Sequence, residues 1–431
     1  MKQSLLIRII ITFILLLTVI LVPTTPVKAA DVNLKSAAIG TGFHIQNANT
    51  LTWVDVATAN VNTSTVADDK ILVVASFDAE ETKAMVGSFR IRNNAGTPIT
   101  SSEFQRELTG PAKINDDGIG SIVQIFTATD GTDDSFTLQH STTALDMTTY
   151  ATIVAIPLET SADPGLLPYA EFYGTTPDSI DVADTWEDVD VGGGGASART
   201  GAVTLGNTAH IYVAASIETE QDGGGVDTGT WKVQYSTTSD FTSDVRELGT
   251  PVMRHLSGNG DIGLTGLVGL AQSQPPGSYY FRVMHMGTHT SVTTNKVSLV
   301  AVGLEDGSHY LQAWEKTLAS DTTQSTSLEG VTGGSVTFTP DVAVSDLFMH
   351  AQYQIGATDT STATYDISLD GYNTQDEHRF IASSTDVGAG ASVGLTSITN
   401  TAYTLGLNHA ISVGTQTLTT SNVVLVGFAM G

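Results

Sequence analysis

The sequence lacks cysteine, has little proline and carries few charged side chains. None of its 431 residues is cysteine, 12 are proline, and Asp, Glu, Lys and Arg together make up 15%. Stabilisation by disulfides is therefore excluded. Scarce proline without a Gly-X-Y period excludes a collagen-like chain, and the low share of charged residues excludes a charge-rich disordered chain. Hydrophobic residues make up 41%, which is enough to build a core.

Positions 1–29 have the pattern of a secretory signal peptide. Lys2 and Arg8 precede a run of apolar residues and threonine at 9–22, and small residues at 27 and 29 suit a cleavage site after Ala29. A helix of that run spans about 21 Å, less than the ~30 Å hydrocarbon core of a membrane. We predict a secreted or cell-surface protein. The alternative is an uncleaved anchor formed by residues 5–22, with Arg8 reaching the membrane surface.

The mature chain has a strongly negative charge and no second long apolar run. The whole sequence has 45 acidic and 18 basic residues, and removal of residues 1–29 takes away three bases and no acid, which leaves a net charge of −30. Such a polyanion repels phosphate backbones and anionic lipid. We therefore predict no nucleic-acid partner and no transmembrane helix in the mature chain.

Three blocks of sequence recur in the same order along the chain. Apolar strands with a polar end lie at 70–78, 210–218 and 346–353; second blocks start at 87, 229 and 364; closing strand pairs lie at 135–159, 279–305 and 403–428. The matching residues Ile71, Ile211 and Leu347 follow one another at nearly equal intervals. Such repetition indicates three homologous units, placed at 33–159, 168–305 and 309–431 after the signal peptide at 1–29.

Each unit has the pattern of an antiparallel β-sandwich. Residues 279–285 alternate apolar and polar side chains, and turn signals such as Asp130-Gly131 and Asp370-Gly371 separate the candidate strands. The predicted fold is all-β, with three tandem, jelly-roll-like antiparallel β-sandwich domains. The closing strand pairs resemble the end of a jelly roll of the tumour-necrosis-factor type, and the resemblance is confined to that strand pair in each unit. An immunoglobulin-like sandwich is the alternative, although its Cys…Trp…Cys signature is absent.

Histidine occupies the same place in all three units, at His140, His285 and His409. Imidazole binds metals readily, but no second histidine or acid recurs at a fixed spacing beside these residues, and a single ligand does not make a zinc site. We expect a strand-end histidine that bonds to a neighbouring loop, with a repeated metal or ligand site as the alternative.

Two acidic stretches are candidates for calcium binding. The first holds Asp130, Asp133 and Asp134, and the second is residues 115–118. Clustered carboxylates and loop carbonyls are the ligands that Ca²⁺ prefers. Neither stretch matches the spacing Asp-x-Asp-x-Asp-Gly, and Asp-Gly is also the usual hairpin turn. We expect acidic turns, with Ca²⁺ at Asp130, Asp133 and Asp134 as the only cofactor hypothesis.

The remaining motifs do not point to catalysis. Residues 192–195 are four glycines without the Lys-Ser/Thr of a phosphate loop, and no Gly-x-Ser-x-Gly elbow precedes a helix. The four tryptophans, Trp53, Trp186, Trp231 and Trp314, are interpreted as core residues rather than sugar-stacking platforms. We therefore predict a non-catalytic structural or adhesive surface protein that self-associates or binds surface glycans. The alternatives are a glycan-binding module of a polysaccharide-acting system, a virion- or fibre-type attachment protein, or a secreted hydrolase.

Overall fold

A computed structural model describes most of the chain after the predicted signal segment. The described residues are 37–46, 52–61, 70–81, 85–93, 103–108, 116–127, 134–142, 147–160, 165–257, 261–305, 312–340, 346–373, 378–382 and 387–430. They form 29 strands and no helix, and the paired strands run antiparallel. The predicted all-β, antiparallel fold is confirmed. Within these ranges no membrane-spanning helix is found; residues 1–29 lie outside them.

The strands fall into three successive groups along the chain, with a small strand pair after the first. The first unit comprises β1 (Ala38–Gln46), β2 (Val54–Val61), β3 (Lys70–Glu81), β4 (Met85–Asn93), β5 (Phe104–Leu108), β6 (Asp116–Thr127), β7 (Asp134–Thr142) and β8 (Met147–Pro157). The pair β9 (Glu159–Thr160) and β10 (Gly165–Leu166) follows.

The second unit comprises β11 (Tyr169–Gly174), β12 (Asp178–Ser179), β13 (Glu187–Asp188), β14 (Val203–Leu205), β15 (Ala209–Gln221), β16 (Val226–Ser236), β17 (Arg246–Ser257), β18 (Ile262–Gln274), β19 (Gly277–Gly287) and β20 (Val292–Leu304). The third unit comprises β21 (Ala313–Thr323), β22 (Glu329–Phe338), β23 (Asp346–Ala357), β24 (Ser361–Leu369), β25 (Tyr372–Asn373), β26 (His378–Ala382), β27 (Gly388–Ser397), β28 (Tyr403–Ile411) and β29 (Leu418–Met430).

Each unit contains an inner and an outer sheet with the same strand order. The inner sheets are β1-β8-β3-β6, β11-β20-β15-β18 and β21-β29-β23-β27, and the outer sheets are β2-β7-β4-β5, β13-β19-β16-β17 and β22-β28-β24-β25. Among the described strands, no sheet combines strands of different units. The exact domain boundaries proposed from the repeat stay a prediction.

Burial explains why the two kinds of sheet differ in sequence. In β4 buried and half-buried residues alternate, as in a strand with one face on a core. In β3 all residues from Ile71 to Ala79 are buried, so both faces of the inner sheet are covered. One face packs on the core of its own sandwich, and the other faces the remaining two units.

Equivalent side chains of the three units meet in one central apolar cluster. The strand registers make Leu72, Tyr212 and Phe348 equivalent, and likewise Val123, Val268 and Val393, because each pairs with the same neighbours in its own sheet. These residues belong to a single buried cluster. The units therefore share a core that none of them could bury alone.

A first ring of hydrogen bonds joins each unit to the next. The amides of the three equivalent valines donate to equivalent polar side chains: Val123 N to Ser216 Oγ (2.9 Å), Val268 N to Gln352 Oε1 (2.9 Å) and Val393 N to Ser76 Oγ (3.1 Å). The direction is first to second, second to third and third to first. The contacts thus close into a ring.

A second ring of hydrogen bonds runs in the same order. Its acceptors lie two residues further along β3, β15 and β23 than those of the first ring. The donors are amides at equivalent edge positions: Gln105 N to Glu218 Oε2 (2.5 Å), Met253 N to Gln354 Oε1 (3.1 Å) and Arg379 N to Asp78 Oδ2 (2.8 Å). Beside this ring, equivalent residues of the inner edge strands enter the core of a neighbouring unit. Ile119 enters the core of the third unit, Leu264 that of the first unit and Ala389 that of the second unit. The three units form a closed, pseudo-threefold arrangement.

Residues 115–118 were expected to form an acidic turn, and this expectation is wrong for the part that the structure describes. Asp116, Asp117 and Gly118 begin β6, where they pair with Glu81, Glu80 and Ala79 of β3. The strand continues there because β3 supplies an antiparallel partner along its full length.

Candidate functional site

The three repeated histidines lie inside the sandwiches, and each binds a threonine of the neighbouring sheet. Exposure of His140, His285 and His409 is 0–1%. Their Nδ1 atoms lie 2.7–3.0 Å from equivalent hydroxyls: Thr149, Thr294 and Thr420, respectively. The histidines stand on the outer sheet and the threonines on the inner sheet, so each pair connects the two layers of its unit.

In the second unit an indole shares the threonine hydroxyl with the histidine. Trp231 Nε1 donates to Thr294 Oγ1 at 3.1 Å, and His285 Nδ1 lies 3.0 Å from the same oxygen. In the third unit Tyr365 takes the place of the tryptophan, with its hydroxyl 2.8 Å from Thr420 Oγ1. The first unit has Phe89 there, which offers no polar group.

The Nε2 side of each histidine faces a polar residue of the first strands of its unit. His285 Nε2 lies 3.3 Å from Asp178 Oδ2 and 3.5 Å from Glu187 Oε1. His409 Nε2 lies 3.6 Å from Asp321 Oδ2. The register places His44 of the first unit where Asp178 and Asp321 stand, and its Nδ1 lies 3.0 Å from His140 Nε2.

These buried clusters connect the two sheets of each unit. Burial lowers the pKa of His140 to about 3 and that of His285 to about 4, and it also lowers the pKa of His409. The imidazoles are therefore neutral at physiological pH. Burial raises the pKa values of Asp178 and Glu187. In the described ranges, no set of three His, Asp or Glu side chains is arranged to hold a metal ion.

The structure corrects the expectation of a strand-end histidine that bonds to a neighbouring loop: each ring contacts a threonine within a strand of the facing sheet. Acids also lie beside His285 and His409 in space, although none stands at a fixed spacing in the sequence. They come from the first strands of the second and third units, far earlier in the chain, and sheet pairing alone brings them near the histidine. The threonine was the missed signal: it follows His140 and His285 at position i+9 and His409 at position i+11.

The calcium hypothesis stays a prediction. Asp130 and Asp133 lie outside the described residues, and Asp134 is the first residue of β7. The glycines at 192–195 form a surface turn in which Gly194 and Gly195 have φ of +76° and +78°, with open space around both α-carbons. That agrees with the interpretation of this stretch as a surface loop.

The tryptophans do not form a row on one sandwich face. Trp231 is fully buried, as expected for a core residue. Trp53 and Trp186 are half-buried, which corrects the expectation that they lie in the core. Each carries a cation over its ring: Arg90 Cζ is 3.9 Å from the Trp53 ring centroid, and Lys232 Nζ is 4.1 Å from that of Trp186. Trp314, which was also expected in the core, is half-buried and stacks on Phe338 at 4.0 Å.

One open groove of about 500 Å³ lies between the first and second units. Its lining includes Gln124 and Asn93 of the first unit with Glu171, Tyr173 and Ser298 of the second. Burial raises the pKa of Tyr173 to about 12, so its phenol keeps its proton. At the second–third interface the equivalents of Glu171 and Tyr173 are Glu315 and Thr317. The aromatic lining is therefore not repeated there.

No family model matches the chain, and no curated protein is similar to it in sequence. Solved structures with a similar outline include the tumour necrosis factor Eiger from S. frugiperda, at 15% identity over 34% of this chain and 98% of that one, with a TM-score of 0.22. A tandem CBM22 domain of Xyn10C from Paenibacillus barcinonensis has 8% identity over 62% and 98%, with a TM-score of 0.20. A chain of Sulfolobus turreted icosahedral virus has 9% identity over 93% and 91%, with a TM-score of 0.21. Such low scores do not bear on the function of this chain.

Proposed function

We propose that the mature chain is a secreted, non-catalytic structural or adhesive surface protein that works as one three-unit head. The supporting observation is the closed ring. It covers the inner sheet of every unit and leaves the outer sheets and end loops for contact with a partner. The polar positions that repeat between units, such as the histidine–threonine pairs, are buried and hold the fold together.

Immunogold electron microscopy of cells that secrete the full chain tests this role. We expect gold label on the outer cell surface. Mass spectrometry of the intact protein should give a mass that corresponds to removal of residues 1–29. Label confined to the cytoplasm would contradict secretion. Protein found entirely dissolved in the medium, with none retained on cells, would contradict a role at the surface.

Glycan binding is a second candidate function, and the groove between the first and second units favours it. Sugars stack their C–H faces on aromatic rings and bind carboxylates and amides through hydroxyls, and Tyr173, Glu171, Gln124 and Asn93 supply those groups. A glycan array with the mature chain tests this function. Tyr173→Ala should abolish a signal that Thr317→Ala, at the equivalent place in the third unit, leaves intact. Equal loss in both variants, or no signal in the wild type, would exclude the groove.

The ring also supports a fibre- or virion-type attachment role, because trimeric jelly rolls form compact heads and this chain contains three such units. Particles purified by density gradient from a producing culture test it. The chain should then co-sediment with nucleic-acid-containing particles. Sedimentation only at the position of free protein would exclude this role.

A further inference from the structure

The third unit has buried histidines at two interface positions where the other units have apolar residues. His350 is equivalent to Val74 and Ala214, because each occupies the same register of its inner sheet. His378 is equivalent to Phe104 and Val252, because each pairs with the same aromatic position of its outer sheet. Both histidines are at most 1% exposed.

His350 lies at the interface between the second and third units. Its Nδ1 is 2.7 Å from the hydroxyl of Tyr212, which belongs to the second unit. Its Nε2 has no hydrogen-bond partner among the described residues and lies among the apolar side chains of the central cluster. The aromatic neighbours are Phe348 and Tyr212, each with its ring centroid 6.2 Å from that of the imidazole.

His378 lies at the interface between the third and first units. Its Nε2 is 2.9 Å from Ser76 Oγ, the same hydroxyl that accepts from Val393 N in the first ring of hydrogen bonds. Its Nδ1 has no partner within the described part of the chain. The titratable groups on adjoining strands are Asp78 of β3, which accepts from Arg379 N, Asp366 of β24, and the phenols of Tyr353 and Tyr365.

We propose that His350 and His378 form an acid-sensitive release device that frees the third unit from the ring while the first and second units stay joined. An imidazolium has two N–H donors, and each buried site offers a partner to one ring nitrogen only. The second donor of a charged ring would remain buried and unpaired, which is far more costly than the neutral form. Separation of the third unit exposes both rings to water and removes that cost.

The sign of the pH effect follows from burial. Burial lowers the pKa of His350 to about 3 and that of His378 to about 4 in the closed ring. Exposed imidazole titrates near 6.5, so protons bind the open form first as pH falls. Each histidine multiplies the opening constant about tenfold per pH unit below 6.5, or about 100-fold at pH 4.5. The first–second interface has no histidine at these positions; its buried Glu218, with a raised pKa, pairs with Lys296 and loses a charge in acid rather than gaining one.

Single introduced thiols measure this opening, since the chain has no cysteine of its own. Ile119→Cys reports the third–first interface, and Leu264→Cys reports the first–second interface at the equivalent position. Both residues are fully buried. The rate of modification by 4,4′-dithiodipyridine, which reacts in acid, is measured on the mature chain at pH 7.5 and pH 4.5. We expect a rise of up to about 10⁴-fold at Ile119→Cys, the product of the two histidine effects, and a far smaller rise at Leu264→Cys.

Replacement of the histidines by their counterparts in the first unit completes the test. His378→Phe should remove about 100-fold of the acid acceleration, and His350→Val with Tyr212→Phe should remove a similar factor. Equal acceleration of the two reporters would show global acid unfolding and overturn the proposal. Full acid acceleration at Ile119→Cys in a His378→Phe chain would also overturn the proposal. This result is sufficient by itself if the variant with His350→Val and Tyr212→Phe does not fold. Neither outcome bears on surface adhesion, which the labelling experiment tests separately.

Discussion

At the scale of single residues, the buried histidine–threonine pairs are the most regular polar feature of the molecule. Each joins an outer-sheet strand to an inner-sheet strand, and each unit varies the residues around it. The second unit has Trp231 on one side and two carboxylates on the other, whereas the first has Phe89 and His44. These differences allow the contribution of each partner to be measured within one chain.

Thr294→Val should lower the free energy of unfolding by about 2–4 kcal/mol, because it leaves both Trp231 Nε1 and His285 Nδ1 without a partner in the core. The matched control is Thr149→Val in the first unit. There only His140 Nδ1 loses its partner, so the expected loss is smaller, about 1–3 kcal/mol. Urea denaturation of both variants measures the difference. Equal losses would show that the indole bond contributes nothing.

His140 makes the fold sensitive to acid. Its pKa is lowered to about 3 by burial and by the neighbouring His44, so the unfolded chain binds a proton near pH 6.5 before the folded chain does. The stability that this site provides is complete above pH 6.5 and is lost as pH falls toward 3. His140→Gln should flatten the pH dependence of the unfolding free energy by up to about 1.4 kcal/mol per pH unit between pH 6 and 4.

Urea denaturation at pH 7, 6, 5 and 4 gives that slope for both chains. Carboxyls with raised pKa values, such as Asp178 and Glu187, act in the opposite sense in wild type and variant alike, so they cancel in the difference. Parallel pH profiles would contradict a neutral, buried His140.

The sequence shows the recurrence of the histidines, but it predicted neither the threonines nor the acids that surround them. The position is visible because His140, His285 and His409 follow alternating strands at matching places. The acids are not visible in the sequence pattern, because Asp178 and Glu187 lie far before His285 in the chain and approach it only through β12 and β13. Sequence spacing does not encode sheet pairing at that distance.

At the scale of elements, the inner edge strands β6, β18 and β27 carry the contact between units. Ser121, Gly266 and Ala391 occupy equivalent registers of these strands and converge where the three units meet. A β-carbon on Gly266 would overlap Ser121 Oγ and lie 2.9 Å from Ala391 Cβ. Small side chains at this level allow the strands to approach closely.

Gly266→Val should therefore destabilise the ring by about 1–3 kcal/mol or more, because there is no room for its branches. Gly356→Val is the matched control, since Gly356 also lies in an inner-sheet strand, β23, and has nothing within 4 Å of an added β-carbon. Thermal unfolding followed by circular dichroism compares them. A Gly266→Val chain as stable as the control would contradict close packing at the centre.

The strands themselves could be predicted from alternation in the outer sheets, as in β4. The role of the inner sheets at the contacts between units could not be predicted from the sequence. The continuous apolar run of β3 indicates a strand buried on both faces, but the pattern does not say whether the second face meets another sheet, a neighbouring unit or a second chain.

At the scale of the whole molecule, one set of interface bonds is incomplete. Leu270 N donates to Glu315 Oε1 at the second–third interface (3.2 Å), and Glu171 accepts from the equivalent Ile125 at the first–second interface. The corresponding residue of the first unit is Ile39, which is 37% exposed. The third–first interface thus lacks this carboxylate.

Ile39→Glu should supply the missing acceptor for the amide of Leu395 and raise the free energy of unfolding by about 0.5–1.5 kcal/mol. Ile45→Glu, on the same strand and 45% exposed, is the control and should have little effect. Urea denaturation distinguishes the two. A destabilised Ile39→Glu chain beside a neutral control would contradict the equivalence of the three interfaces.

Small-angle X-ray scattering of the mature chain tests the closed ring most directly. A single compact body of about 400 residues has a radius of gyration of about 21 Å. Three sandwiches of this size in an extended row would give about 30 Å or more, given about 14 Å for each unit alone. We predict the smaller value at neutral pH. The larger value, with a distance distribution that shows separate units, would contradict the shared core.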